Sequence, residues 1–255
     1  MLALERRNLI LEQLQENKRV VVSELSQLYQ VSEETIRRDL DKLDRDGLAI
    51  KSYGGAIINE NTGIDMPFNV RKKRNVSGKK KIAELIAKRI HDGDQIMLDA
   101  STTAVFIAKA IKKKERLTVI TNSIEVVIEL SDVSDWNIIS SGGVLKEGYL
   151  ALVGPLAVKG LGTYHVGKSI FSCKGIDKVQ GFTDSNEQFA ETKQAMLSSS
   201  KERILAVDSS KFDTISFCKA GNFHDIDVVV TDKKPSQDWL DLFQEYDIEC
   251  LYFEG

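Results

Sequence analysis

The chain has 255 residues, 42% hydrophobic residues and a formal net charge of −3 at pH 7. This length and apolar content allow one large or two ordinary domains with a real core. The charge and a pI near 5.8 do not suggest a strongly basic nucleic-acid-binding protein. Arg6 and Arg7 interrupt the apolar pattern that a signal peptide needs, and no run approaches the ~20 apolar residues of a membrane span.

Cysteine usage argues against a disulfide framework and against a metal site. Cys173, Cys218 and Cys250 are far apart with no Cys-x-x-Cys pair, and the histidines are equally scattered. This pattern is typical of a protein kept in a reducing cytoplasm. We therefore expect a cytoplasmic protein without a metal or other cofactor.

The N-terminal region predicts a helix-turn-helix. Helical patterns run over residues 4–16 and 23–29, with a short strand at 20–22 and Ser23 as the expected cap of the second helix. A third helix begins at Ser32 after a connection of only two residues, which is the spacing of a helix-turn-helix.

The third helix has a buried face and a polar face. Ser32 is a good N-cap, and Glu33 lies in the first turn, where the helix dipole favours negative charge. The apolar stripe consists of Ile36, Leu40 and Leu43, and the outer face carries Thr35, Arg37 and Arg38. Such a face can enter a DNA major groove, although an ordinary amphipathic helix with solvated arginines has the same pattern.

Two strand-like runs around Gly54 and Gly55 follow, and Gly47 is a C-cap candidate. This order predicts a winged helix-turn-helix domain over residues 1–58. That region holds nine Lys or Arg against ten Asp or Glu, but most acids of the third helix lie late in it. Local placement of charge matters more than its sum when one face meets phosphate.

These residues resemble a known signature. Arg6, Ile10 and Leu14, followed by Ser32-x-x-Thr35-Ile36-Arg37-Arg38-Asp39-Leu40, are similar to the pattern of the DeoR family of bacterial transcriptional regulators, and Tyr53-Gly54-Gly55-Ala56 resembles its wing. The resemblance implies contacts to operator DNA from Ser32, Glu33, Thr35, Arg37 and Arg38 in the groove and from Lys51, Ser52 and Tyr53 on the wing. One such domain buries little DNA surface, so we expect a homo-oligomer, either a dimer or a tetramer.

Residues 59–75 are polar, contain Gly63 and Pro67, and lack periodicity, which predicts a linker. A basic run from Arg71 to Lys81 includes no acid. It is either a contact to the DNA backbone or a solvated linker and helix start, and the second interpretation is favoured.

From Lys79 onward helices alternate with strands. This predicts an α/β domain over residues 76–255 with a mostly parallel sheet covered by helices. The predicted strands are 95–98, 118–121, 136–140, 169–173, 203–207, 228–231 and 249–253, and the helices are 79–90, 103–112, 123–130, 186–199 and 236–245.

Small polar residues follow three consecutive strands of this domain. They are Asp99-Ala100-Ser101-Thr102-Thr103, Thr121-Asn122-Ser123 and Gly142-Gly143. Ligands bind open α/β sheets in a crevice at the carboxyl ends of strands, and helix N-termini hold phosphate. The pattern predicts one shared ligand crevice, with the Asp99–Thr103 loop able to hold a phosphate, whereas each Ser or Thr alone is more commonly a helix cap.

This half resembles the DeoR-family sensor domain, which is similar in fold to ribose-5-phosphate isomerase. The motifs that carry the resemblance include those three loops, Gly175-Ile176-Asp177, Gly181-Phe182-Thr183 and Asp208-Ser209-Ser210-Lys211. It implies a phosphorylated sugar as effector, contacted by Asp99, Ser101, Thr102, Thr103, Asn122, Gly142, Gly143, Asp177 and Lys211. Lys174 and Lys193 are candidate further contacts, or else surface lysines.

One departure separates this chain from the isomerases. Their Gly-Ala-Asp-Glu segment corresponds to Ser172-Cys173-Lys174-Gly175, so a lysine stands at the position of a catalytic carboxylate. A lysine of ordinary pKa is protonated at pH 7 and suits anion binding better than proton abstraction. Asp177 and Glu187 remain as candidate bases.

The sequence therefore favours a non-enzymatic regulator, most often a repressor in this family, that controls a carbohydrate-catabolism operon. One alternative is a sugar-phosphate isomerase or deaminase with an appended DNA-binding domain. Another is an interaction module with a vestigial pocket.

Overall fold

A computed structural model describes residues 1–59 and 66–253, apart from the side chain of Gln15. The chain divides into two compact units, Met1–Arg74 and Asn75–Gly255, here named the N-terminal and C-terminal units. None of the described helices is both long and apolar enough to cross a membrane.

The N-terminal unit is a winged helix-turn-helix, as predicted. Its elements are α1 (Ala3–Asn17), β1 (Arg19–Val21), α2 (Val22–Tyr29), α3 (Glu33–Arg45), β2 (Ala49–Ser52), β3 (Gly55–Ile58) and α4 (Phe68–Lys73). The strands pair antiparallel in the order β1-β3-β2. Gly55 allows β3 to approach β1, because a Cβ atom there would overlap the Val20 carbonyl oxygen.

Two local expectations in this unit were wrong. Helix α2 begins at Val22 without a side-chain cap, so Ser23 lies inside it. The predicted linker covered residues 59–75, of which 60–65 lie outside the described residues; its later part contains α4, in which Phe68 and Val70 are buried. Met66 and Val70 join the core formed with α1 and α3. A helix of six residues has too few apolar positions to show a helical repeat in the sequence.

The C-terminal unit has the predicted alternation of helices and strands. Its helices are α5 (Val76–Arg89), α6 (Thr102–Ile111), α7 (Ile124–Leu130), α8 (Pro155–Gly162), α9 (Glu187–Ser198) and α10 (Gln237–Glu245). Its strands are β4 (Gln95–Leu98), β5 (Thr118–Thr121), β6 (Asn137–Ser140), β7 (Val144–Lys146), β8 (Ala151–Val153), β9 (Val166–Phe171), β10 (Gly175–Asp177), β11 (Gly181–Asp184), β12 (Ser200–Ala206), β13 (Cys218–Gly221), β14 (Val228–Thr231) and β15 (Glu249–Tyr252).

The main sheet has the order β15-β14-β12-β9-β4-β5-β6 over the described residues. All its neighbouring strands run parallel. Ile96, Met97 and Leu98 of β4 are all fully buried, as expected for a central strand covered on both faces. The strand order reverses between β4 and β9, which is where ligands bind in such sheets.

Two small antiparallel groups accompany the main sheet and were not predicted. One is the hairpin of β7 and β8, and the other is the sheet β10-β11-β13. All five of these strands have three or four residues. A strand this short is recognised only by a continuous apolar run, and four of these five contain glycine or a charged residue instead.

Candidate functional site

Helix α3 is fixed to α1 by a buried ion pair. Arg6 Nε lies 2.5 Å from Asp39 Oδ2, and the two side chains are 8% and 7% exposed. The predicted apolar stripe of Ile36, Leu40 and Leu43 is buried in the same unit. These contacts orient the helix and leave exposed its opposite face, which carries the predicted DNA contacts.

The start of α3 presents the predicted DNA-contacting side chains to solvent. Ser32 Oγ accepts a hydrogen bond of 3.2 Å from the Thr35 amide, which confirms the cap. Arg37 and Arg38 are exposed and pair with Glu33 and Glu34 one turn earlier, at 2.6 and 3.3 Å. Exposed pairs of this kind contribute about 0–1 kcal/mol, so exchanging these carboxylates for DNA phosphates costs little.

The wing is tied to the end of the same helix. Lys51 forms an ion pair with Asp41, and its amide donates a 3.0 Å hydrogen bond to Asp44 Oδ1. Ser52 and Tyr53 follow at the exposed tip of the wing, next to Gly54 with a φ of +78°. The predicted wing residues therefore belong to a segment whose position relative to α3 is fixed.

In the C-terminal unit, Asp99 bridges the two strands at the switch point. Its Oδ1 accepts from the Ser101 amide at 3.1 Å, and its Oδ2 accepts from the Ser172 amide at 2.9 Å. Burial raises the pKa of Asp99 above its ordinary value. This carboxyl joins the loop after β4 to the loop after β9, at the place where an α/β sheet binds its ligand.

Helix α6 begins at this same point. Ser101 Oγ caps it by accepting from the Ala104 amide at 3.0 Å, so Ser101 has the capping role considered as an alternative. Thr102 and Thr103 are buried in the first turn. The first amides of a helix have no acceptor within it, which makes this turn suitable for an anion.

Lys193 is buried beside two carboxylates and is not the surface lysine considered as an alternative. Its Nζ lies 2.7 Å from Asp184 Oδ2 and 3.8 Å from Asp99 Oδ2. Burial lowers the pKa of Lys193, but Asp184 and Asp99 outweigh it and the pKa is raised. Burial likewise raises the pKa of Asp184, but Lys193 outweighs it and the pKa is lowered. The Lys193–Asp184 pair therefore remains charged at neutral pH.

Lys174 differs from the expectation of an ordinary lysine. It is half-buried, and its Nζ lies 5.9 Å from the centre of the Tyr149 ring. Burial lowers its pKa to about 7, and the charges of Lys211 and Lys193 act in the same direction. Lys174 therefore titrates near neutral pH, and a nearby anion would favour its charged form.

The loops after β5 and β6 lie beside the Asp99 loop at the same sheet edge. Thr121 Oγ1 donates to the Leu98 carbonyl at 2.6 Å and so joins two neighbouring strand ends. Asn122 is 2% exposed and donates to the Leu152 carbonyl at 3.0 Å. Its Oδ1 is buried and accepts no hydrogen bond from any residue that the structure describes. This atom is a candidate acceptor for a ligand hydroxyl.

Gly142 and Gly143 shape the third loop. Their φ angles are +68° and +119°, which favour glycine. A Cβ atom at Gly143 would lie 2.7 Å from the Val153 carbonyl oxygen. The structure therefore explains both glycines by backbone geometry, and a ligand contact from them stays a prediction.

Asp177 is the predicted site residue that the structure does not bring into this group. Its Oδ1 accepts from the amides of Val179 and Gln180 at 2.9 and 2.8 Å, so it stabilises the turn between β10 and β11. Lys211 ends a short 3-10 turn that follows β12 and acts electrostatically on Lys174.

Asp184 and the ring pair of Tyr149 and Phe189 were not predicted from the sequence. Asp184 comes directly after Gly181-Phe182-Thr183. Had β11 been predicted, the polar residues that follow Phe182 at its end would have indicated a candidate site residue. Tyr149 and Phe189 have ring centres 4.8 Å apart. They bring together segments far apart in the chain, and no local pattern in the sequence indicates that.

Comparisons with known proteins give the family. The family model for the DeoR-like helix-turn-helix domain matches residues 6–62. The family model for the DeoR C terminal sensor domain matches residues 74–233. The uncharacterized HTH-type transcriptional regulator YulB of Bacillus subtilis is 44% identical over 91% of this chain and 90% of its own length. The HTH-type transcriptional repressor GlcR of the same species is 35% identical over 98% and 96%.

A more distant relative is the glycerol-3-phosphate regulon repressor of Escherichia coli, 27% identical over 96% of this chain and 97% of its own length. Among solved structures, ribose 5-phosphate isomerase A of Methanocaldococcus jannaschii is 16% identical, with a TM-score of 0.39 over 52% of this chain and 53% of its own. Because the two family models cover both units, the chain belongs to the DeoR family of helix-turn-helix transcriptional regulators.

Proposed function

We propose that this regulator binds operator DNA through α3 and the wing, and that a phosphorylated sugar bound in the C-terminal unit controls its DNA affinity. It acts in the cytoplasm as a homo-oligomer on repeated half-sites and represses a carbohydrate-catabolism operon. GlcR and the glycerol-3-phosphate regulon repressor are both named as repressors, which supports the repressor assignment. An L-fucose operon activator from Haemophilus influenzae, 34% identical, supports the link to sugars.

The observation that carries the effector proposal is the position of Asp99. It connects the start of α6 with the loop after β9, at the reversal of the strand order. The proposed phosphate lies at the first turn of α6, near Thr102 and Thr103. The sugar hydroxyls then extend toward Asn122 and the carboxyl of Asp99, both of which accept hydrogen bonds.

A chain of covalent and hydrogen bonds connects Lys211, a proposed effector contact, to Asn75 at the start of the C-terminal unit. Lys211 ends the turn Ser209–Lys211, and the Ser209 amide donates to Asp232 Oδ1 at 2.6 Å. Asp232 Oδ2 in turn accepts from Asn75 Nδ2 at 3.3 Å. Asn75 is the residue at which the two units are divided, and it caps α5 with a φ of 43°. We propose that this route couples the two functions.

The enzyme alternative is less well supported. An isomerase needs a positioned base to move a proton between sugar carbons. The sequence resemblance implies that Lys174 stands where the isomerases have a catalytic carboxylate, and Asp177 accepts two backbone hydrogen bonds within a turn. Incubation of the protein with aldose and ketose phosphates tests this alternative, and their interconversion would favour it.

The test of the proposal is a pair of variants with separate effects. Arg37→Ala should weaken operator binding by about 5- to 150-fold, the effect of losing a good DNA contact, and leave effector binding unchanged. Arg45→Ala, on the exposed last turn of the same helix, is the matched control. Loss of effector binding in the Arg37 variant would show misfolding and contradict the separation of functions.

The second variant replaces Thr102 and Thr103 together by alanine. It should keep DNA binding and lose the effector response, while the matching double serine variant, which retains both hydroxyls, keeps the response. An unchanged response in the alanine variant would place the phosphate elsewhere.

A further inference from the structure

Strand β6 forms one edge of the main sheet over the described residues. The amides of Asn137 at its start and of Ser141 just beyond its end donate toward β5, at 3.0 and 2.9 Å. Because backbone groups alternate in direction along a strand, the amides and carbonyls of Ile138 and Ser140 point away from β5. On that side, no residue in the described part of the chain is hydrogen-bonded to them.

This edge lacks the features that usually protect an open strand. Natural edge strands carry lysine or proline, or are covered by other elements, because unpaired backbone groups bind further strands. Strand β6 reads Asn-Ile-Ile-Ser and contains neither a charged residue nor a proline. Asn137 and Ser140 are exposed. The outward backbone groups of β6 are therefore accessible for pairing with another strand.

Exposed aliphatic side chains lie on the elements around this edge. Helix α7 contacts β6, and α8 approaches its end so closely that a Cβ atom at Gly160 would overlap the Ser141 carbonyl oxygen. Ile128 on α7, Val144 on β7 and Leu156 on α8 are 62%, 69% and 68% exposed. The open edge is therefore bordered by apolar surface that the chain itself does not cover.

The same region is poor in charge. Residues 136–158 include only two charged side chains, Lys146 and Glu147, whereas 29% of the whole chain is charged. The Nζ of Lys146 is already 3.1 Å from Gln188 Oε1. Charged residues are depleted in the cores of protein interfaces, and the interfaces of homodimers are the more apolar ones. A partner for this surface must be similarly apolar and uncharged.

A second copy of the chain meets both requirements, because β6 is complementary to itself. In an antiparallel pair of two β6 strands, the outward groups of Ile138 face those of Ser140 in the second copy, and the reverse. A two-fold axis then passes between the two Ile139 residues. Two reciprocal pairs of hydrogen bonds form, and the apolar surface beside each edge faces its own copy, as in an isologous interface.

We propose that the chain forms a two-fold symmetric dimer in which β6 pairs antiparallel with β6 of a second copy. The main sheet is then continuous across the two copies, and Ile128, Val144 and Leu156 pack beside the junction. This inference rests on the homo-oligomer of the proposed function and specifies the surface that forms it.

The first experiment is analytical ultracentrifugation of the full-length protein at micromolar concentrations. The wild type should have a mass of two chains or a multiple of it. Ser140→Pro removes an amide that the single chain does not use, so the edge strand tolerates proline while the pairing does not. Val144→Glu combined with Leu156→Glu places like charges in the interface. Each change should raise the dissociation constant of the dimer by about 100-fold or more.

Val179→Glu is the matched control. Val179 is 82% exposed in the turn between β10 and β11, in the same unit but outside this surface. The control should leave the dissociation constant of the dimer unchanged. Circular dichroism of each variant confirms that its secondary structure is retained. A dimer that persists in both the proline variant and the double glutamate variant would overturn the proposal.

Cysteine cross-linking tests the register. In the proposed dimer Ile139 faces its own counterpart with a Cα separation of about 4.5 Å, within reach of a disulfide. Mild oxidation of the Ile139→Cys variant should give a covalent dimer. The Ser140→Cys variant should not, because Ser140 faces Ile138 of the second copy and lies too far from its own counterpart. The wild type, which contains the same native cysteines, gives the background. Cross-linking at position 140 but not at 139 would contradict the register.

The outcomes also separate this inference from the proposed function. If the wild type is a dimer that survives these substitutions, the edge pairing falls and the homo-oligomer stands. If the wild type is a monomer, both the pairing and the homo-oligomer fall, and the edge belongs to a different partner. The control of DNA affinity by a phosphorylated sugar is tested separately, by the response of DNA binding to the effector.

Discussion

Arg6 and Asp39 show how a DNA-binding signature can be structural. Both belong to the pattern by which the sequence resembles the DeoR family, yet they are buried and bind each other rather than facing solvent. Arg37 and Arg38 belong to the same pattern and are exposed. The sequence alone distinguishes DNA-contacting from structural residues only in part. Asp39 lies on α3 between the exposed face and the apolar stripe, so its burial does not follow from the helical pattern. The partner of Asp39 lies 33 residues away, beyond the reach of a local pattern.

This pair leads to a stability prediction. Asp39→Ala leaves the Arg6 guanidinium buried and uncompensated, and should destabilise the N-terminal unit by about 3–5 kcal/mol. Glu34→Ala removes an exposed partner of Arg38 on the same helix and should cost at most about 1 kcal/mol. Hydrogen exchange of the α3 amides in the full-length protein measures both. Equal and small effects would mean that the buried pair does not hold the helix.

At the scale of elements, strands and helices with a clear apolar pattern were predicted from the sequence. The seven strands of the main sheet and the loops after β4, β5 and β6 were placed in this way. The hairpin of β7 and β8 and the sheet β10-β11-β13 were not, because four of their five short strands contain glycine or a charged residue in place of a continuous apolar run. That omission also concealed Asp184 at the end of β11, and with it the reason why Lys193 is buried.

The turn Ser209–Lys211 and Asp232 give a prediction for coupling. Asp232→Asn replaces one carboxylate oxygen by an NH2 group, so the side chain can no longer accept hydrogen bonds from both Ser209 and Asn75. Effector binding and DNA binding should each persist, and the effect of one on the other should fall from about 5- to 150-fold toward none. Asp238→Asn, at an exposed carboxylate on α10, is the matched control. Titrations of operator DNA with and without effector measure the difference. Undiminished coupling in the Asp232 variant would rule out this route.

For the whole molecule, a net charge of −3 is compatible with DNA binding because of where the acids lie. Asp39 is paired inside the N-terminal unit, Asp41 and Asp44 bind the wing, and Asp46 pairs with Lys42 at 2.7 Å. The late acids of α3 therefore stabilise the domain and are not grouped with the arginines at its start. The sequence predicted that the acids lie late in α3 and the arginines early in it, and the contacts explain this separation.

The central claim is that a phosphorylated sugar controls the DNA affinity of this chain. Fluorescence anisotropy of the full-length protein on DNA from upstream of its own gene tests it, with each titration repeated in the presence of sugar phosphates and of their unphosphorylated parents. The account predicts that a phosphorylated compound shifts the affinity by about 5- to 150-fold while its parent sugar does not. Equal effects of the phosphate and its parent, or tight DNA binding that no phosphorylated compound alters, would contradict it.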